Sequence, residues 1–452
     1  MDLDPIRRYL EENPTAYAGL RALDVSSKGR EQTVAEKDEV PFIFSIAFVP
    51  LIVAYTVLKR TAYGLNRVLS RTDSPPISPP DHVFVTTSTH EYRTYTFEEV
   101  GKRLLDKNKD VMFLCSPSAA DQMDDWQQNG FQTESFRNLL RFVSVSELFV
   151  NLVRSVITMY KLRHITSGEF QKSSQIYAFN STFLEYIKYS SLEPLVRDVP
   201  VVHTYSLMPY QVRATVPERL YVYQHGAQRS PGEDAWAAIS FFPATLLVWG
   251  EAWVENFEPL LHPDTEVCVT GSPWHDYLSE SRDSTPPDWD ILFIGGSQAT
   301  THSEKWEELY EELVADLVQA CEDNGWSLAI KLHPIENSDW YREHGWESYV
   351  VEFDSIRDAI KSADIAVTHF SSAFVESIAL GTPIILNEVW SFGLSELRPI
   401  SGANFVDSDE LEQEIKRVRE LGLDSDNILE NSRLLNVGES VDRILNIVVD
   451  DY

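Results

Sequence analysis

Short, largely apolar runs recur along the C-terminal half of this chain, each next to a polar or glycine-rich turn and a stretch of helix length. Ile291–Ile294 ends in Gly295-Gly296-Ser297, and Leu328–Leu332 ends in His333-Pro334. Ile365–Thr368 ends in His369-Phe370-Ser371-Ser372, and Ile384–Leu386 follows Gly381-Thr382-Pro383. Strands that alternate with helices must all run the same way, which predicts a parallel sheet joined by crossovers. In such sheets the turns at the carboxyl ends of the strands gather along one edge. Helix N-termini there leave backbone N–H groups free for an anionic ligand. Segment 354–387 is the sharpest case: a buried strand, a turn with two hydroxyls, a helix carrying Glu376 one turn in, and another apolar strand.

The same alternation is readable earlier, less sharply. Strands are expected at Val83–Thr86, Val111–Cys115, Pro200–Tyr205, Leu220–Gln224, Leu246–Trp249 and Val267–Thr270, with a helix over Phe97–Asp106. Residues 131–204 are less legible, apart from helical apolar spacing over Leu148–Leu162. A break at 281–290, SRDSTPPDWD, separates the two halves. Beyond it a helix is expected from Glu304 to Asn324 with Gly325 as its stop, and a further strand at Tyr349–Phe353. The expected organisation is a polar segment 1–40, a hydrophobic helix 41–60, a proline-rich linker 61–80, and two Rossmann-like domains, 81–284 and 285–452.

Composition narrows the function. A chain of 452 residues with 43% hydrophobic residues can bury two cores, while a net charge of −32 argues against a nucleic-acid partner, which needs a basic face. Only 13 of the 38 basic residues are lysine. An acidic, lysine-poor, folded chain fits a halophilic cytoplasm, where salt screens self-repulsion; the alternative is an acidic chain without that adaptation. Cys115, Cys268 and Cys321 are too widely spaced to write a disulfide framework or a zinc motif.

Residues 41–58, PFIFSIAFVPLIVAYTVL, carry no charge over 18 positions and are followed by Lys59-Arg60. That length just reaches across a bilayer, Pro50 would kink it, and the basic residues after it favour a cytoplasmic C-terminal side. A single span, an interfacial helix and a buried helix all remain open. The first two place the body at the cytoplasmic face of the cell membrane.

The ordered motifs carry a resemblance. His225-Gly226, Thr270-Gly271-Ser272-Pro273, Gly295-Gly296-Ser297, Lys331-Leu332-His333-Pro334 and Ser371-Ser372…Glu376…Gly381-Thr382-Pro383 resemble the glycosyltransferases of the GT-B fold. The similarity is greatest to the group that holds CDP-glycerol glycerophosphotransferases, polysialyltransferases and capsule-building transferases. It covers Leu220–Asn387 and is absent before the linker. It implies an α/β fold of two Rossmann-like domains, a nucleotide-activated donor bound mainly by the second, and neither a cofactor nor an essential metal. A nucleotide-sugar donor and a lipid-linked or polymeric glycan acceptor are the implied partners.

Each motif also has its own chemistry. His333, turned out of its strand by Pro334, is able to donate to a donor phosphate, with Lys331 as a second candidate and a solvated strand-end lysine as the bland reading. Ser371 and Ser372 offer hydroxyls beside a helix start, although one of them has an N-cap to make in any case. Glu376 suits the two hydroxyls of a ribose and, lying in an apolar helix, needs a partner. His369 reaches the same region. Gly295, Gly296 and Ser297 permit close backbone approach, or only a tight turn. His225 is the expected catalytic base for the acceptor hydroxyl, because an imidazole with an ordinary pKa near 6.5 matches that task. Gln224 and Arg229 are placed to orient the acceptor. The acidic pair before glycine that polysialyltransferases use is missing: Asp124-Asp125 precedes Trp126, and Gly232 precedes rather than follows Glu233-Asp234.

Other constellations are absent. There is no P-loop and no GxSxG, and His333, His344 and His369 match no metal spacing. The expected function is sugar transfer to a membrane glycan acceptor. Transfer of a polyol phosphate, a non-catalytic scaffold of GT-B shape and, more distantly, a nucleotide-sugar epimerase are the alternatives.

Overall fold

The computed structural model describes residues 80–86, 91–115, 122–135, most of 150–161, 199–204, 219–224, 243–258, 261–281, 286–296, 304–334, 336–369, 371, 373–387, 403–406, 410–421 and 433–450, with a few single positions between. The hydrophobic segment 41–58, the linker, and His225, Arg229, Ser297 and Ser372 lie outside these residues. Among the described residues, no helix is long and apolar enough to cross a membrane.

Twelve strands are described, in two parallel sheets. The first comprises β1 (His82–Thr86), β2 (Val111–Cys115), β3 (Gln132–Ser135), β4 (Val201–Thr204), β5 (Leu220–Tyr223), β6 (Thr245–Val248) and β7 (Glu266–Val269). Their order is β3-β2-β1-β4-β5-β6-β7. The second comprises β8 (Trp289–Ile294), β9 (Leu328–Lys331), β10 (Ala363–Thr368), β11 (Ile384–Asn387) and β12 (Ala403–Val406), in the order β12-β11-β10-β8-β9. In each sheet the order reverses once, between β1 and β4 and between β8 and β10. These are the switch points where doubly wound sheets open a crevice at their carboxyl ends. Two Rossmann-like units are therefore present, as the strand–helix alternation predicts.

The described helices are α1 (Glu91–Asp106), α2 (Met123–Gln128), α3 (Glu251–Phe257), α4 (Pro273–Glu280), α5 (Glu304–Asn324), α6 (Ser338–Glu343), α7 (Ile356–Lys361), α8 (Ala373–Leu380), α9 (Leu411–Leu421) and α10 (Ser440–Asp450). Local chemistry fixes several ends. Ser355 caps α7 by accepting the Asp358 N–H at 3.1 Å, and Pro273 occupies the first turn of α4. α5 stops at Gly325, whose φ of +66° glycine adopts without strain. The period of two along β8 divides its side chains between two cores. Ile291 and Phe293 join Tyr310, Leu313 and Leu317 of α5. Leu292 and Ile294 face Phe374 and Ile378 of α8 in a core continuous with the first unit. In that unit Phe113 stacks on Trp126 with centroids 4.6 Å apart, a pairing that adds about 0.5–1.5 kcal/mol beyond area burial.

Two local expectations change. α1 begins at Glu91, six residues before the expected start at Phe97, because Tyr95 packs on Trp274 and Tyr277 with centroids 5.7 and 5.0 Å away. Tertiary contact there outweighs a weak local preference. Tyr349–Phe353 is not a strand: a 3-10 turn at Glu347–Tyr349 leads to a single parallel bridge, Ile330 to Val350.

The last helix returns to the first unit. Asp276 of α4 accepts hydrogen bonds from the Gly438 and Ser440 N–H groups and the Ser440 hydroxyl, at 2.6, 2.8 and 2.9 Å. Arg443 of α10 donates to the Thr270 carbonyl at 2.8 Å and the Asn436 carbonyl at 2.7 Å. α10 packs against α1 and α4. The Thr270–Asp276 motif thus supplies the docking surface for the C-terminal helix.

Asp290, just before the core of β8, accepts the Ser327 N–H at 2.7 Å and its hydroxyl at 2.8 Å, and pairs with Arg419 of α9 at 2.7 Å. Burial raises its pKa, but the Ser327 and Arg419 contacts outweigh this and the net displacement is downward. A carboxyl whose folded pKa is depressed adds stability above its unfolded value of about 3.9 and loses it as pH falls through the folded value. Asp290→Asn should therefore flatten the acid limb of the stability profile below about pH 4, read as melting temperature against pH.

Candidate functional site

The turn after β8 and the turn after β10 lie side by side at the second switch point. Gly295 continues from β8, its N–H bonded to the Lys331 carbonyl at 2.9 Å. A side chain at either glycine would displace a neighbour. A Cβ on Gly295 would sit 2.1 Å from Glu336 Oε2, and one on Gly296 would sit 2.8 Å from His369 Cε1. The expected close approach is therefore real, but what approaches from behind is the protein's own carboxylate and imidazole.

His369 is fully buried, its ring 4.9 Å from Tyr310 and 6.2 Å from Phe293. It backs the Gly296 turn from within. Ser371 is half-buried, and its hydroxyl accepts the Ala373 N–H at 3.2 Å, capping α8 as the plainer reading of that residue expects. α8 is buried along its length except at Glu376. That carboxylate accepts the Trp274 indole N–H at 3.1 Å, across the contact between α8 and α4. The same seam carries a bond from Arg357 to the Tyr277 hydroxyl at 2.5 Å and one from Lys361 to the Ser281 carbonyl.

Lys331 ends β9 and His333 lies two residues beyond it, both half-buried. Burial lowers the Lys331 pKa, opposed by the fields of Glu336 and Glu376. His333 donates its backbone N–H to Glu336 Oε2 at 2.6 Å. Gln224 is fully buried, and its side-chain oxygen accepts the Trp249 N–H at 3.0 Å. It braces the ends of β5 and β6. His275, inside the Thr270–Asp276 motif, is also internal: its ring meets Trp249 edge-on at 4.8 Å, and burial pushes its pKa down to about 3.

Sequence reasoning missed Glu336. Its carboxylate takes the His333 N–H, the Gly296 N–H, the Tyr310 hydroxyl at 2.7 Å and the Tyr341 hydroxyl at 3.4 Å. Burial raises its pKa in spite of these donors. Its place three residues after His333, with glycines on the facing turn, is the signal that was available. Among the described residues, no group of three or more His, Cys, Asp and Glu side chains is placed to hold a metal ion.

No family model matches the chain, and no curated protein matches it. Solved structures do. A putative UDP-N-acetylglucosamine 2-epimerase from Listeria monocytogenes is 10% identical, covers 83% of this chain and 97% of its own, and superposes with a TM-score of 0.50. A lipopolysaccharide outer core galactosyltransferase is 12% identical over 82% of this chain and 99% of its own, at a TM-score of 0.47. A wall teichoic acid polymerase is 12% identical over 91% of this chain and 98% of its own, at 0.44. At 10% identity the likeness to the first of these structures is one of fold alone.

Proposed function

We propose that the protein is a membrane-associated glycosyltransferase that moves a sugar from a nucleotide-activated donor to a hydroxyl of a lipid-linked or polymeric glycan acceptor. The observation that carries this reading is Glu376, the one residue of α8 that is not buried, one turn below a helix start at the switch point of the second sheet. A carboxylate there suits two ribose hydroxyls while the helix N-terminus and the Ser371 and Ser372 hydroxyls suit the donor phosphates. Lys331 adds positive charge, and His333 a ring N–H donor, at the adjacent strand end. The acceptor oxygen attacks the anomeric carbon, the bond from that carbon to the phosphate oxygen breaks, and the nucleotide leaves with its electron pair. His225 takes the acceptor proton. Direct displacement inverts the sugar, and Lys331, His333 and the helix N-terminus carry the leaving charge with no metal. The uncharged segment 41–58 holds this chemistry at the cytoplasmic face of the bilayer, where lipid-linked acceptors reside.

Incubating the full chain with labelled nucleotide donors and vesicles of its own cell lipids tests this. Sugar label should enter a lipid-extractable or polymeric product. Movement of glycerol phosphate from CDP-glycerol would instead assign polyol-phosphate transfer. No transfer from any donor would leave the scaffold reading.

A further inference from the structure

Two backbone N–H groups from different strand-end turns, Gly296 after β8 and His333 after β9, converge on one acceptor. Converging N–H groups at a glycine turn are how such folds seat a phosphate. Here the seat is taken: the Glu336 carboxylate fills it, steadied by the phenols of Tyr310 and Tyr341, themselves 2.7 Å apart. The missing side chain of Gly295 leaves the space it needs, since a Cβ there would lie 2.1 Å from Oε2.

We infer that Glu336 is a positioning residue of the donor site. By filling the N–H seat behind Gly295-Gly296 it fixes the His333 turn and confines the donor phosphates to the α8 side, near Ser371 and Lys331. This rests on the donor reading above. A side chain truncated to alanine would leave the seat open to an anion, and the two turns would lose their common anchor. Because Glu336 lies behind the turn, its effect on transfer runs through the placement of His333 and Gly296.

The test uses the full chain with Glu336→Ala, Glu336→Gln and Glu336→Asp, and sodium formate as the probe for the seat. The alanine variant should raise donor KM about 10- to 100-fold, with a smaller change in kcat, as expected when binding groups move by a fraction of an ångström. Glutamine should recover most of that loss, because its oxygen accepts the N–H groups and the phenols can turn to accept from its amide. Formate should raise the melting temperature of the alanine variant and lower its KM while leaving the wild type unmoved. Aspartate, which withdraws the carboxylate by one methylene, should raise KM even if the alanine variant fails to fold. Wild-type KM in a folded alanine or aspartate variant, or formate acting equally on wild type and alanine, would overturn the inference. The melting arm needs no donor, so an inactive wild type would sink the transferase reading without deciding the role of Glu336.

Discussion

Gly271→Ala should detach the C-terminal helix from the first unit and lower stability by about 2–5 kcal/mol, summing a left-handed backbone penalty and overpacking. Gly271 sits at φ +77°, and a Cβ there would lie 2.0 Å from the Asn436 carbonyl oxygen and 2.4 Å from the Ser440 hydroxyl. The nearest obstacle is backbone, so no side-chain rotation relieves it. Relief requires moving the turn that begins α10, which also breaks the Asp276 bonds to Gly438 and Ser440. A lowered midpoint in urea, with protease cleavage appearing ahead of α10, is the expected result. An unchanged midpoint would mean that α10 docks without this contact.

His225→Ala should reduce kcat by about 10²–10⁴-fold, the usual contribution of a general base, while leaving donor binding intact. The proposed division of labour requires this split, since the second unit grips the donor and the loop after β5 serves the acceptor. The vesicle transfer assay gives kcat, and donor binding to the same variant gives the other half. Full activity in the variant would remove His225 from the base role. Lost donor binding would move it to the donor site.

How much was readable depends on how local the cause is. Four strands of the second sheet, β8 to β11, were legible because each is a largely apolar run bounded by glycine, proline or polar turns, and α5 was found with the same bounds because Gly325 ends it. The N-terminal end of α1 was not, because its cause, the packing of Tyr95 on α4, lies about 180 residues away along the chain. β3 and β12 stayed hidden for a related reason. Gln132–Ser135 is polar and becomes a strand only by pairing with β2, and Ala403–Val406 only by pairing with β11.

The site shows the same divide. Ser371 and Glu376 were visible as a helix start with a charge in an apolar face, but Trp274, the partner of that charge, was not. The glycines after β8 pointed to close approach without saying of what. Glu336 reads as an ordinary loop acid until the fold brings Gly296, Tyr310 and Tyr341 around it. The Thr270–Asp276 motif was visible only as one of the ordered motifs of the resemblance; in the structure Thr270 and Asp276 hold α10, and Trp274 meets Glu376.

The bond between Glu376 and Trp274 joins the proposed ribose carboxylate to the first unit, so a donor that engages Glu376 acts at the seam as well as at the site. The most direct test of the donor site is thermal stability of the full chain in high potassium chloride with UDP-, GDP-, CMP- and CDP-linked donors, beside His333→Ala and Glu376→Ala. A donor at about 100 times its Kd adds about 2.7 kcal/mol. One donor class should stabilise the wild type, with the shift lost in both variants. No shift with any donor, or equal shifts in wild type and variants, would contradict a donor site built on β9 and α8.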